Sequence, residues 1–185
     1  MKMSYRFILL TLALLLFTGL GNSTLAQKTI APADARPSPL GLAQTTLENG
    51  TYLKVFYSSP RMKGRKIFGD LVPFGQVWRT GANEATEITF SKDATFGGKA
   101  VKAGTYALFT LPGADKWTVI LNSGLGQWGA FSYNAELDVL RVEATPTNSV
   151  DAYEAFTMAF EEAAGGAHLV MNWANTRVAV PIMAK

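Results

Sequence analysis

From Thr46 to Ile182 the chain runs in short segments rich in β-branched and aromatic residues, each closed by Gly, Pro, Asn or Asp. Several alternate apolar and polar positions, the period of a half-buried strand. Trp117, Val119 and Leu121 share one face, as do Phe156, Met158 and Phe160. Leu169, Met171 and Trp173 repeat the pattern, and Val178, Val180 and Ile182 follow it again. Strands are therefore predicted at Thr51–Tyr57, Glu87–Ser91, Lys99–Lys102, Thr105–Leu111, Trp117–Asn122, Val139–Ala144, Ala155–Glu161, Ala167–Trp173 and Arg177–Ile182. Thr105–Leu111 is apolar on both faces, which predicts a central strand. Gly97-Gly98 supplies the two positive φ values of a tight hairpin. Pro112–Lys116 reads as a longer turn, and Asn148–Tyr153 and Ala163–Gly166 as further connections. Helical periodicity is confined to Tyr133–Leu137, one or two turns at most. The expectation is an all-β domain with little helix: an antiparallel β-sandwich, jelly-roll-like or similar, with a closed barrel as the alternative.

The chain ahead of this region reads differently. Lys2 and Arg6 precede an apolar run, Phe7–Leu20, that would be about 21 Å long as a helix. A bilayer core needs about 30 Å, so the run is short for a membrane anchor and suits a secretory signal. Small residues near Ala26 place the expected cleavage before Gln27, giving a signal over 1–26. Residues 27–45 carry Pro32, Pro37 and Pro39 with no hydrophobic period, and read as a Pro-rich linker or arm. One β domain is expected over 46–185. The predicted location is exported, periplasmic or extracellular, with no membrane contact after cleavage.

Composition narrows the chemistry further. There is no Cys and a single His. That removes disulfides, thiol catalysis, Cys-type zinc sites and any site built on two histidines. No cofactor is expected. The formal net charge is +3, and loss of Lys2 and Arg6 would bring it closer to neutral, too weak a field for a nucleic-acid partner.

The densest stretch is 58–86. It does not alternate, holds Gly64, Gly69, Gly75 and Gly81, and carries the basic cluster Arg61, Lys63, Arg65 and Lys66. The run KGRKIFGDLVPFGQVWRTGANEAT at 63–86 resembles the signature of the DUF2911 family, exported bacterial proteins of uncharacterised function. AGTYALFTLPG at 103–113, QWGA at 127–130, DVLRV at 138–142 and WANTRVAVPI at 173–182 extend the resemblance over about 50–182. The resemblance implies an exported all-β domain. It implies no reaction, so no catalytic residue is inherited.

Candidate ligand-binding residues are Arg65, Lys66, Trp78, Arg79, Asn83, Glu84 and Trp128. A guanidinium beside an aromatic can grip a carboxylate, phosphate or sulfate through two parallel hydrogen bonds. Asn83 and Glu84 would orient the ligand or the arginine. The competing reading is internal: Arg79 pairs with Glu84 or caps loop carbonyls and holds the segment shut. The basic cluster could form an anion-attracting rim around Gly64, or simply a solvated loop. Trp78, Trp128 and Tyr133 could make an aromatic platform, against the alternative of core packing. Trp117 and Trp173 are assigned to the core. His168 alternates with Leu169 and Met171, so it lies off the apolar face, and no G-x-S-x-G elbow supplies a nucleophile for it. No metal set has a recognised spacing.

The functional expectation is a non-catalytic binding or structural module of the cell envelope, recognising an anionic or sugar-like group. Its partner would be a small molecule, a glycan or an envelope protein. The alternative is an envelope glycan or ester hydrolase using loop carboxylates, Glu84 or Asp138, with Arg79. Two carboxylates about 5–9 Å apart in an open cleft would mark that enzyme.

Overall fold

A computed structural model describes residues 35–185. Ten antiparallel strands form two sheets. The larger has the order β1-β2-β3-β6-β7-β8, and the smaller β5-β4-β10-β9. The strands are β1 Leu40–Thr46, β2 Tyr52–Ser58, β3 Thr86–Phe90, β4 Ala94–Phe96, β5 Lys99–Val101, β6 Gly104–Leu111, β7 Trp117–Asn122, β8 Asp138–Ala144, β9 Thr147–Ala163 and β10 Gly166–Ala184. One turn of 3-10 helix, Ala135–Leu137, precedes β8. The chain is an all-β sandwich. Most neighbours in sequence are neighbours in the sheets. β1 lies beside β9 at one flank and β5 lies beside β8 at the other, so the two layers meet at both sides.

The alternating faces meet between the layers. Val55, Ile88, Leu108, Val119 and Leu121 from the large sheet pack on Phe156, Leu169, Val178, Val180 and Ile182 from the small one. β6 is central, flanked by β3 and β7, and buried along most of its length. Trp117 and Trp173 are 1% and 2% exposed, as expected of core residues. The Gly97-Gly98 hairpin also forms, with φ of 57° and 78° and Phe96 paired to Lys99. Gly97 has a second reason to be glycine, because an added Cβ would lie 2.6 Å from Val142 Cβ.

A second, smaller apolar cluster sits on the outer face of the large sheet. Ala85, Ala107, Phe109 and Ile120 are covered there by Val77, Ala130 and Tyr133. The segment that follows β7 therefore lies across the sheet instead of hanging free.

Three sequence expectations need correction. Residues 27–45 do not read as linker throughout, because β1 pairs with β2 along its whole length, from Leu40↔Ser58 to Thr46↔Tyr52. An edge strand of small and polar residues shows little alternation, which is why its pattern resembles an arm. Gly41 belongs to this packing, since a Cβ there would meet the Tyr57 ring at 2.5 Å. Asn148–Tyr153 is not a connection but the outer half of β9, with Asn148 opposite Thr176 and Tyr153 opposite Ala174. Ala167–Trp173 and Arg177–Ile182 are one strand, β10, whose register shifts between Asn172 and Ala174 and again before Thr176. Bulges of this kind break the alternation without ending the strand. The expected signal, 1–26, lies outside the described residues. Among the described residues no helix is long and apolar enough to cross a membrane.

Candidate functional site

The site grows out of an interruption in the large sheet. Trp78 pairs with Thr110 on β6 through two backbone hydrogen bonds of 2.7 and 2.9 Å. The chain then leaves the sheet and returns at Thr86, opposite Leu108. Between these points Glu84 bridges to Trp128, with Ala85 N–H donating to the Gln127 carbonyl and Gly129 N–H to the Asn83 carbonyl. Residues 79–83 thus form a loop clamped at both ends.

The loop is bent against backbone preference. Thr80 has φ of 54° and Asn83 57°. Asn tolerates that region, but a β-branched threonine there is an outlier held by its surroundings. Thr80 is fully buried. Its hydroxyl lies 3.3 Å from the Trp78 carbonyl and 3.2 Å from Thr110 Oγ1, and its carbonyl accepts from Thr86 Oγ1 at 2.7 Å. Gly81 is wedged beside β2, where a Cβ would come within 2.9 Å of the Ser58 carbonyl oxygen.

This loop makes no internal turn hydrogen bonds. Among the described residues, the N–H groups of Thr80, Gly81, Ala82 and Asn83 find no acceptor. Four consecutive unbonded amides in a largely buried loop are unusual, since buried backbone donors are nearly always paired. Gly81, Ala82 and Asn83 line a cleft of about 430 Å³ with Arg79, Trp78 and Trp173. Ser38, Pro60, Arg65, Leu71, Pro73, Gln76 and Val77 complete much of its wall. That volume is within the range of small-ligand sites.

Arg79 is the cation of this cleft. Its Nε is buried and has no hydrogen-bond partner. No ion pair to Arg79 forms among the described residues, and burial alone pushes its pKa below the ordinary arginine value. The internal reading of the sequence therefore meets a different arrangement. Glu84 is paired, but with Arg36, whose Nη2 donates to Oε2 at 2.6 Å. The Arg36 side chain is 8% exposed, and its Nη1 is buried without a partner. Sequence reading missed Arg36 because it stands among prolines in the segment ahead of β1, and only the folded chain brings it to Glu84.

The remaining candidates divide. Arg65 lines the cleft, yet its Nε and Nη2 donate to the carbonyls of Met62 and Arg61 at 2.9 and 2.7 Å. Lys66 is exposed and outside the cleft lining. Lys63 sits over β9, with its N–H donating to Glu154 at 3.0 Å. Trp78 is 8% exposed. Its ring stacks on Trp173 at 5.8 Å and meets Phe68, Trp117 and Phe156 edge-on, while its Nε1 donates to the Gly81 carbonyl at 3.0 Å. It is the floor of the cleft and not an open platform. Trp128 is 50% exposed across the bridge from Glu84. Tyr133 is turned elsewhere, packing on Phe109.

Asp138 is engaged in its own network. It accepts from Asn122 Nδ2 at 2.8 Å, the Tyr133 hydroxyl at 2.6 Å and Arg141 Nε at 2.7 Å. Burial, then the bond to Asp138, pushes the Tyr133 hydroxyl above its ordinary 10.0, with Arg141 opposing. Among the described residues no carboxylate or histidine lines the Arg79 cleft. His168 stands opposite Glu161 on β9, and Glu161 is held by both Arg177 nitrogens at 2.7 and 2.6 Å. No group of three or more potential metal ligands occurs among the described residues.

Residues 38–182, nearly the whole sandwich from just before β1 to the end of β10, match the family described as a protein of unknown function, DUF2911. The chain belongs to the DUF2911 family. No curated protein and no solved structure matches it. In this DUF2911 domain the 63–86 signature builds the clamped loop and most of the cleft wall, and the 173–182 motif contributes Trp173 beneath it.

Proposed function

We propose that this DUF2911 protein is a non-catalytic binding module of the cell envelope that captures an anionic group in the Arg79 cleft. One observation carries the reading: a half-buried guanidinium, its Nε enclosed and without a counter-charge among the described residues, stands in the same cleft as backbone amides that no described residue accepts from. Leaving such donors unsatisfied costs free energy, and an oxyanion is the ligand that satisfies both kinds at once. Bent loops that present successive N–H groups are recurrent anion cradles. A sugar-like ligand has less support, because the faces of Trp78 are covered by Trp173 and the neighbouring rings. The hydrolase alternative finds no acid–base pair among the described residues of the cleft lining. Export to the envelope rests on the expected signal.

The test is thermal unfolding in sulfate, phosphate, acetate and neutral sugars, with wild type and Arg79→Ala side by side. At a hundred times its dissociation constant a ligand stabilises by about 2.7 kcal/mol. Anions should raise the wild-type midpoint and leave Arg79→Ala unmoved. If no anion moves the wild type, or both proteins respond alike, the reading fails.

A further inference from the structure

Which anion the cleft takes can be argued from what surrounds the charge. This step rests on the anion reading above. Three features bear on it.

The first is charge number. Among the described residues Arg65 and Arg79 are the cations of the lining, and no carboxylate joins them. Arg65 already donates through Nε and Nη2 to backbone carbonyls. Of these two, Arg79 has the buried donor without a partner among the described residues. A singly charged group is met by it directly, whereas the second charge of a dianion would face only Arg65, which is exposed and has Nε and Nη2 already committed to carbonyls.

The second is the polar wall. Gln76 and Asn83 line the cleft, and neither side-chain amide bonds to a described residue. Each offers a donor and an acceptor, the same pair that a peptide group requires. Ser38 adds a hydroxyl from the segment just ahead of β1.

The third is the apolar wall. Leu71, Pro73 and Val77 line the cleft but keep part of their surface in solvent. They offer a shallow contact for a small aliphatic side chain, and no free aromatic face for a pyranose ring. A free carboxylate, a peptide amide beside it and a small side chain together describe a chain terminus. Capture of a C-terminal carboxylate by backbone N–H groups is an established mode of peptide recognition.

We propose that the Arg79 cleft binds the free C-terminal end of a short peptide, its carboxylate on Arg79 Nε and the 81–83 amides. Gln76 and Asn83 read the last peptide group, and the terminal side chain rests on Val77 and Leu71.

The probe set is tri-alanine, its C-terminal amide, its N-acetyl form, glucuronate and acetate. Binding is followed by tryptophan fluorescence, since Trp78 and Trp173 border the cleft, with calorimetry as a second readout. Tri-alanine and its N-acetyl form should bind alike, because the amino end is not read. Amidation of the carboxylate should weaken binding about ten- to a hundredfold, the range for a charged hydrogen-bonded group. Arg79→Gln should bring the acid down to the level of the amide, and Gln76→Ala should weaken tri-alanine but not acetate. If the amide binds as well as the acid, or glucuronate outcompetes tri-alanine, the peptide proposal is overturned. Should acetate and glucuronate bind while tri-alanine does not, the peptide reading falls and the anion reading stands. Failure of every acid removes both.

Discussion

Replacing Arg79 with methionine separates the ligand reading from a purely structural one, because the two predict opposite signs. An arginine that holds a loop shut is missed when it is gone. An arginine kept for a ligand is a burden to the empty protein. The structure gives the terms. Nε is buried and unpartnered, and no carboxylate among the described residues pairs with the guanidinium to offset its lost hydration. An unsatisfied buried donor costs about 1–3 kcal/mol. Methionine keeps most of the unbranched stem that packs along the cleft, so little apolar contact is surrendered. Part of the arginine is still in solvent, which puts the expected gain near the low end, about 1 kcal/mol. For a domain of this size that is about 2–4 °C in the unfolding midpoint. Arg36→Met is the contrasting variant. It breaks the 2.6 Å pair with Glu84 and should cost about 1.5–3 kcal/mol, the range for a charged hydrogen bond. Urea titration followed by tryptophan fluorescence measures both, with an unchanged m-value showing that the unfolded state is the same. A loss of stability in Arg79→Met as large as in Arg36→Met would refute the reasoning, since Arg79 would then be a structural clasp.

Other expectations follow from the same geometry. Gly97→Ala should destabilise by about 2–4 kcal/mol, because positive φ and the 2.6 Å approach to Val142 act together, while Gly98→Ala, with open space around it, should cost about 1 kcal/mol; equal losses in urea melts would remove the clash from the account. Asp138→Asn should cost about 1.5–3 kcal/mol, since one acidic oxygen becomes a donor among Asn122, Tyr133 and Arg141, all of which donate to it; a neutral result by chemical denaturation would show that the network rearranges freely. The Arg177 fork holds the Glu161 carboxyl below its ordinary 4.5. Its folded value is depressed, so the pair's contribution is present above about 4.5 and fades as pH falls through the lower folded value. Both side chains are partly exposed, which limits the effect to about 0.2–1 kcal/mol. Glu161→Gln should narrow the stability difference between neutral and acid pH; an unchanged difference would mean the pair is idle.

Where sequence and structure agree, the chain announces its packing locally. β6 and β7 carry their apolar faces in plain alternation, and the Gly97-Gly98 turn has a backbone requirement that few other residues meet. β1 gives no such signal because it is an edge strand packed with small residues, where Gly41 makes room for Tyr57 instead of burying a side chain of its own. The outer half of β9 is polar for a related reason: its side chains mostly face solvent. Arg79 was legible from its place between Trp78 and the Thr-Gly step. Arg36 was not, since its role depends on a contact across 48 positions that no local pattern encodes. Trp78 was legible as important, but its burial required knowing that Trp173 would arrive on its face. Lys66 shows the reverse failure, because a charge run marks a surface without saying which way it looks.

Separate energetic costs coincide in the loop that lines the cleft. A β-branched residue in the left-handed region, a glycine pressed against β2, four unbonded amides and an unpaired guanidinium fall within residues 79–83. Each is tolerable alone. A loop selected only to connect Trp78 to Thr86 would shed them, because threonine at position 80 could yield to asparagine or glycine, and Arg79 to methionine, with a gain in stability. Clamps at both ends, on Thr110 and on Trp128, hold the loop in this shape in spite of them. Strain and unsatisfied polarity stored side by side in one rigidly supported cleft are what a pre-formed binding site requires: the folding energy of the sandwich has already ordered the donors before the anion arrives. The sandwich core, whose Trp78 and Trp173 underlie the cleft, is what makes them bearable.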